Sequence, residues 1–361
     1  MKHFLILPLL AFVLFSCSKR TAILDPILNP VNGILRDLPL QSPKSTLKDM
    51  PFKVGASVSA ELLRSNPEYR ALVMKEFSSL TAENAMKFWA LHPEENTYNW
   101  KDADEIVDFA KANGKRMHGH TLNWFEVPGW VTNFSGDTTA WENLMRTHIQ
   151  TVVTHFKGRV SSWDVVNEAI DENGGYRNNI WLQKLGISYI DKAFQYAHEA
   201  DPNALLFYND YGHDYSPIKR TAILNLVNGL KERGVPINGI GLQFHTRYNQ
   251  PDADITSAIT SAAATGLLVH ISELDMTVNP NSDKNLTYTA TLAEQQAAKY
   301  KFIVKTYYAI PKAQQFGITT WNVTDGDSWI PGTYNRPDWP LPFDANYKRK
   351  PAYQGILDGV K

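Results

Sequence analysis

The chain has 361 residues, 43% of them hydrophobic, and a formal net charge of -1 at pH 7. That balance implies no polyanionic or nucleic-acid partner, and the length suits one large domain or two ordinary ones. A single cysteine, Cys17, excludes a disulfide framework and leaves no thiol in the body of the chain for a metal site or a nucleophile.

Lys2 and His3 precede an apolar run from Phe4 to Phe15, too short for a typical transmembrane helix and the right size for a signal-peptide core. The run closes as Leu14-Phe15-Ser16-Cys17, which resembles a bacterial lipobox. That resemblance implies a lipoprotein signal peptide over residues 1–16, with Cys17 the lipidated first residue of a mature chain. Such a chain is exported through the inner membrane and held at a membrane, expected to be the outer one, by its lipid anchor. Residues 17–48 hold several Pro, Asn and Ser without periodicity and read as a flexible tether.

From residue 49 onward, strand-like runs alternate with helix-like runs, the pattern of a parallel α/β fold. The strands are expected at 52–57, 79–83, 116–121, 162–166, 205–209, 239–244, 267–273 and 316–321. Amphipathic stretches at 102–113, 141–156, 187–200, 217–233 and 292–310 lie between them. Eight strands with intervening helices make one closed (β/α)8 TIM barrel over residues 49–361 the economical solution.

Chemistry in such a barrel sits at the C-terminal ends of the strands, and polar residues gather there. In chain order these are Glu83, Asn84 and Lys87; His120 and Trp124; Asn167 and Glu168; Asn209, Asp210 and Tyr211; Gln243 and His245; Glu273 and Asp275; and Trp321, with Trp329 in the loop beyond. A single polar strand end is only the start of a loop. A ring of acids, amides, histidines and tryptophans on nearly every strand requires more explanation. Two strand-end glutamates far apart in sequence, Glu168 and Glu273, are what a two-carboxylate glycosidase needs.

Several stretches together resemble glycoside hydrolase family 10, the retaining endo-β-1,4-xylanases. They are TAENAMKFWAL (81–91), GHTLNW (119–124), WDVVNEA (163–169), YNDYG (208–212), GIGLQFHT (239–246), HISELDM (270–276), TTWNVTDGDSW (319–329) and the closing FDANYKRKPAY (343–353). The resemblance implies Glu168 as acid/base and Glu273 as nucleophile in the hydrolysis of xylan or xylo-oligosaccharides, without a cofactor or metal, by a monomer. It also implies that Asn167 bonds the 2-hydroxyl of the sugar being cleaved, and that His245, fixed by Asp275, orients Glu273. Glu83, Asn84, Lys87, His120 and Gln243 would bind hydroxyls on the non-reducing side, Trp124, Trp321 and Trp329 would wall the sugar, and Tyr211 would stack beyond the cleavage point.

The sequence departs from the family pattern at Phe125, where a histidine is usual, at Asn322, where Gly is usual, and at Gly326-Asp327, where Lys-Tyr is common. Other readings stay open at this point. His118 and His120, two apart on one strand, face the same side and would suit a metal-dependent hydrolase that recruits His245 and Asp210. A related barrel acting on cellulose or mannan is the alternative within enzymes, and a non-catalytic carbohydrate-binding lipoprotein the alternative outside them.

Overall fold

A computed structural model describes residues 45–361; the leader, Cys17 and the tether as far as residue 44 lie outside the described residues. The strands are β1 (Val54–Val58), β2 (Ser79–Ala82), β3 (Arg116–Asn123), β4 (Ser162–Asn167), β5 (Leu205–Asp210), β6 (Gly239–Leu242), β7 (His245–Arg247), β8 (Leu268–Thr277) and β9 (Gln315–Thr320). Most are buried along all or nearly all of their length, as β1 and β4 show, because a parallel sheet is covered on both faces. Neighbours pair in parallel from β1 through β6, β9 joins β1 to β8, and a β6–β8 pairing closes the ring. Eight strands thus form the barrel, and β7 is a short extra strand lying against the end of β8.

Two strand bounds differ from the sequence reading for a physical reason. The run expected at 239–244 stops at Leu242 because Phe244 takes a left-handed φ of 59°. The chain then resumes as β7, whose register sets His245 opposite Asp275. The run expected at 267–273 continues to Thr277, since Leu274 and Met276 are buried and β7 supplies a pairing partner.

All five expected amphipathic stretches are helical, and the outer ring also contains helices Ala60–Ser65, Pro67–Glu76, Asp252–Ala264 and Pro351–Asp358. Asn66 separates the first two: its side chain accepts from the Tyr69 N–H while Pro67 occupies the first turn. The domain starts slightly earlier than the expected residue 49. Leu47 is fully buried, and its N–H donates to Glu76, which also binds Arg349 and Tyr353 near the C-terminus.

One end of the barrel interior is filled. Phe207 and Phe316 pack with ring centres 4.5 Å apart, His118 and His270 at 4.9 Å, and the Arg116 guanidinium covers Phe316 at 3.6 Å. Trp163, inside β4, is core as well. Its indole lies where Gly119 leaves room, and a Cβ there would come within 2.1 Å of the ring. Packing at this end leaves the C-terminal mouth for polar chemistry.

Candidate active site

β4 ends at Asn167, and the chain turns at once through Glu168 in the left-handed region, φ 57. A non-glycine residue held there carries strain that the surroundings must impose. Here the Glu168 N–H donates to the Asn209 carbonyl at 2.9 Å, and the Glu168 carbonyl accepts from Arg177 Nε at 2.8 Å. The carboxyl projects into the mouth, where Oε1 accepts from Gln243 at 2.9 Å and from Asn167 at 3.2 Å.

Glu273 sits within β8 and is 4% exposed. Asn209 Nδ2 donates to its Oε1 at 2.7 Å, and His245 Nε2 lies 3.2 Å from its Oε2. Burial pushes this carboxyl up, but the His245 hydrogen bond and the His120 and His245 charges outweigh burial and hold it below its ordinary value. The imidazole is fixed from behind, with Nδ1 2.9 Å from Asp275 Oδ2, an oxygen that also accepts from Trp329 Nε1 at 2.7 Å. Burial alone would depress His245; Asp275 and Glu273 reverse that and raise it well above the usual histidine value. Asp275 itself is raised by burial, with His245 opposing.

Asn209 links the two carboxyls. The amide that binds Glu273 also donates to Asn167 Oδ1 at 2.9 Å, and Asn167 in turn reaches Glu168. Ser272 Oγ donates to Asn209 Oδ1 at 2.6 Å and fixes the direction of the amide. Gly241 makes room for it, because a Cβ at that position would meet Asn209 Oδ1 at 2.2 Å.

These groups face a cleft of about 490 Å³ whose walls include Lys87, His120, Trp124, Tyr211, Trp321 and Trp329. Lys87 lies 5.1 Å from the Trp124 ring and 5.8 Å from Trp321, and donates to Asn84 at 2.9 Å. Asn84 is exposed and Glu83 half-buried at the cleft's edge. Burial pushes the Glu83 carboxyl up, while Asn322 and Lys87 oppose it. Tyr211 is held from outside by Glu172 and by Arg177, 2.7 Å away, with Lys219 Nζ 3.0 Å from its ring centre.

His118 and His120 both turn to buried Asp164, at 3.1 and 2.9 Å. Burial pushes Asp164 up, but the two imidazoles outweigh it and hold the carboxyl well below its usual range. The pair therefore supports the mouth through a shared carboxylate. Asp210, the other acid considered for a metal, is buried in an ion pair with Lys219 at 3.0 Å.

Each departure from the family pattern has a local explanation. Asn322 adopts φ 77, a conformation that favours Gly and that Asn tolerates better than most residues. Its Oδ1 accepts from the Trp329 N–H at 3.3 Å. Asp327 accepts from the Val323 and Thr324 N–H groups at 3.1 and 2.7 Å and ties the same loop together. Phe125 is half-buried, and its ring carries the Arg177 guanidinium at 4.9 Å.

The sequence reading omitted Asn209, Asp164 and Arg177 from the site, together with Glu126, Tyr215 and Tyr334, which line the cleft. Asn209 carried a signal as a polar strand end. Arg177, Tyr215 and Tyr334 carried none, since each lies in a loop or a short helix with no periodic pattern to mark it.

A (β/α)8 barrel with two glutamates converging at its mouth among amides and tryptophans defines a glycoside hydrolase. The family model described as "Glycosyl hydrolase family 10" matches residues 43–359, and the chain belongs to that family. The chain is 39% identical over 319 residues to endo-1,4-beta-xylanase B of Paenibacillus barcinonensis, covering 85% of this chain and 95% of that one. It is 38% identical over 344 residues to exoglucanase XynX of Acetivibrio thermocellus, covering 91% of this chain but 30% of that protein. Among solved structures, native xylanase 10B from Thermotoga maritima superposes with a TM-score of 0.80 at 35% identity, covering 86% of this chain and 95% of that one. An intracellular xylanase from Thermoanaerobacterium saccharolyticum, solved with xylotetraose, gives 0.78 at 38% identity, covering 84% and 95%.

Proposed function

We propose that this protein is an endo-1,4-β-xylanase that cleaves internal xylosidic bonds with retention of anomeric configuration. The observation that carries this reading is the pair Glu168 and Glu273, set just past β4 and within β8 and joined through Asn167 and Asn209. In a double displacement, Glu273 attacks the anomeric carbon while Glu168 donates its proton to the leaving oxygen. Water then enters, Glu168 takes its proton as base, and the new hydroxyl displaces Glu273 from the sugar. Glu273, held anionic by its partners, suits the nucleophile's part. Asn167 offers its amide to the sugar's 2-hydroxyl, a contact that strengthens as the ring flattens. Trp329, pinned by Asp275, walls the cleft beside Glu273, and on this reading it crowds the hydroxymethyl of a glucose and so favours xylan over cellulose.

Reducing-sugar release from xylan, carboxymethylcellulose and mannan tests the substrate, and the cellulose arm also addresses the exoglucanase name of one relative. Faster release from carboxymethylcellulose than from xylan would reject the reading. Proton NMR of early products tests retention, with the β-anomer expected first. The same proposal extends to Cys17 as a diacylated anchor, residues 1–16 as the cleaved leader and a membrane-held enzyme; two acyl chains suffice for stable anchoring.

A further inference from the structure

A second pocket of about 400 Å³ adjoins the cleft and shares Tyr215, His245 and Tyr334 with it. It is built from β7 and the loop after it, the end of β8, and the chain beyond β5 and β9. Around the barrel β2 is separated from β6 by three strands in either direction. The pocket thus lies across the mouth from Glu83 and Lys87, which on the xylanase reading puts it on the side of the leaving part of the substrate.

Two arginines line this pocket, and no carboxylate does. The Arg336 side chain is 7% exposed. Its terminal nitrogens are anchored to Ser282 at 2.8 Å, Thr277 at 3.0 Å and Asp338 at 3.4 Å. Its Nε is buried without a hydrogen-bond partner. A buried charged donor left unpaired is costly, and the side chain that carries it lines the pocket. Arg247 is exposed at the rim, and Gln250 orients it by accepting from its Nε at 2.9 Å. Among the described residues its terminal nitrogens have no partner. The nearby acids are already committed or withdrawn: Asp338 accepts from the Val278 and Trp339 N–H groups, and Asp214 is buried behind the wall.

We propose that this pocket receives the carboxylate of a hexuronic acid branching from the xylan backbone, so that the enzyme prefers acidic, uronate-decorated xylan over the neutral chain. The inference rests on the xylanase reading above. Guanidinium groups match a carboxylate in shape and charge, and a pocket of this size is in the usual range for a ligand of one ring. A neutral backbone sugar would leave Arg247 without a counter-charge, while Arg336 keeps the one Asp338 gives it.

The test compares kcat/KM on three purified substrates of equal backbone length: a linear xylo-oligosaccharide, the same chain with one uronic acid branch, and that branched chain with its carboxyl reduced to an alcohol. The wild type should favour the uronate over the carboxyl-reduced form roughly tenfold, the scale of one charge-assisted hydrogen bond. Arg247→Gln should bring that ratio close to one while the linear rate is retained, and Arg247→Glu should take it below one. Equal wild-type rates on the uronate and its reduced form would overturn the proposal, as would an Arg247→Gln loss shared by both. Arg336→Gln should also lower the ratio, but its ion pair with Asp338 makes Arg247 the decisive variant. Failure to cleave the linear chain at all would instead reject the xylanase reading.

Discussion

Asn209 on β5 donates its amide to Glu273 on β8 across the barrel mouth at 2.7 Å, and the same nitrogen reaches Asn167 beside Glu168. A buried carboxylate keeps its charge only when donors replace the water it has lost. Asn209 supplies one such donor and His245 the other.

Replacing Asn209 by Ala removes a hydrogen bond to a charged group. We expect kcat/KM to fall by roughly ten- to a hundredfold, the rate equivalent of such a bond. The Glu273 carboxyl should rise, since its charged form loses a donor, and the acidic limb of the kcat/KM profile should move upward with it. A pH–rate series on an aryl xylobioside checks both; a lower rate with an unmoved acidic limb would assign Asn209 to packing alone.

Glu273→Ala should lose essentially all turnover, because no nucleophile remains. Glu168→Ala should still react with substrates bearing good leaving groups, which need little protonation, and azide should restore its second step to give a retained glycosyl azide. A retained glycosyl azide from Glu273→Ala together with an inverted one from Glu168→Ala would exchange the two roles.

Trp329→Ala should widen the sugar site and release the oxygen of Asp275 that Trp329 now holds. Activity on an aryl xylobioside should drop, while the ratio of aryl cellobioside to aryl xylobioside activity should rise several-fold, within the range that hydrophobic pocket walls achieve for groups of this size. An unchanged ratio would remove Trp329 from substrate selection.

Asp214 is buried, and burial pushes it up from 3.8 to about 6 against the opposing pull of Thr246. The folded state therefore binds a proton that the unfolded state has already released between those two values. Stability from this group falls as pH rises through that window and stays low above it. Asp214→Asn should stabilise the fold at pH 7 by on the order of 1–3 kcal/mol for a relieved buried charge, raising the melting temperature with it, and the gain should shrink toward pH 4. Thermal unfolding at the two pH values decides it, and a gain that grows toward pH 4 would contradict the sign.

Cys17→Ser should block lipidation, leave the leader uncleaved by the lipoprotein route and prevent diacylation. Labelling with a fatty-acid analogue, followed by fractionation, checks the outcome. Equal processing and membrane association of wild type and variant would argue against the anchor.

The sequence by itself determined the barrel and most of its active surface. Runs of buried β-formers, each ending in polar residues, are local signals, and so Glu168, Glu273, His245, Gln243 and the cleft tryptophans were legible without coordinates. What the tertiary structure decided are relations between strands distant along the chain. Asn209 was visible as a strand end, but its bond to Glu273, 64 residues away, depends on how β5, β6 and β8 register around the ring. His118 and His120 read as possible metal ligands until the β3–β4 register placed Asp164 between them. The break at Phe244 depends on a backbone conformation that an aromatic residue does not announce. Arg336 and Arg247 are 89 positions apart, and only the packing of the chain beyond β8 against β7 brings them to one pocket. Local periodicity sets which face each element buries; closure of the barrel sets which side chains from separate elements meet, and a pattern read along one segment does not contain that second kind of information.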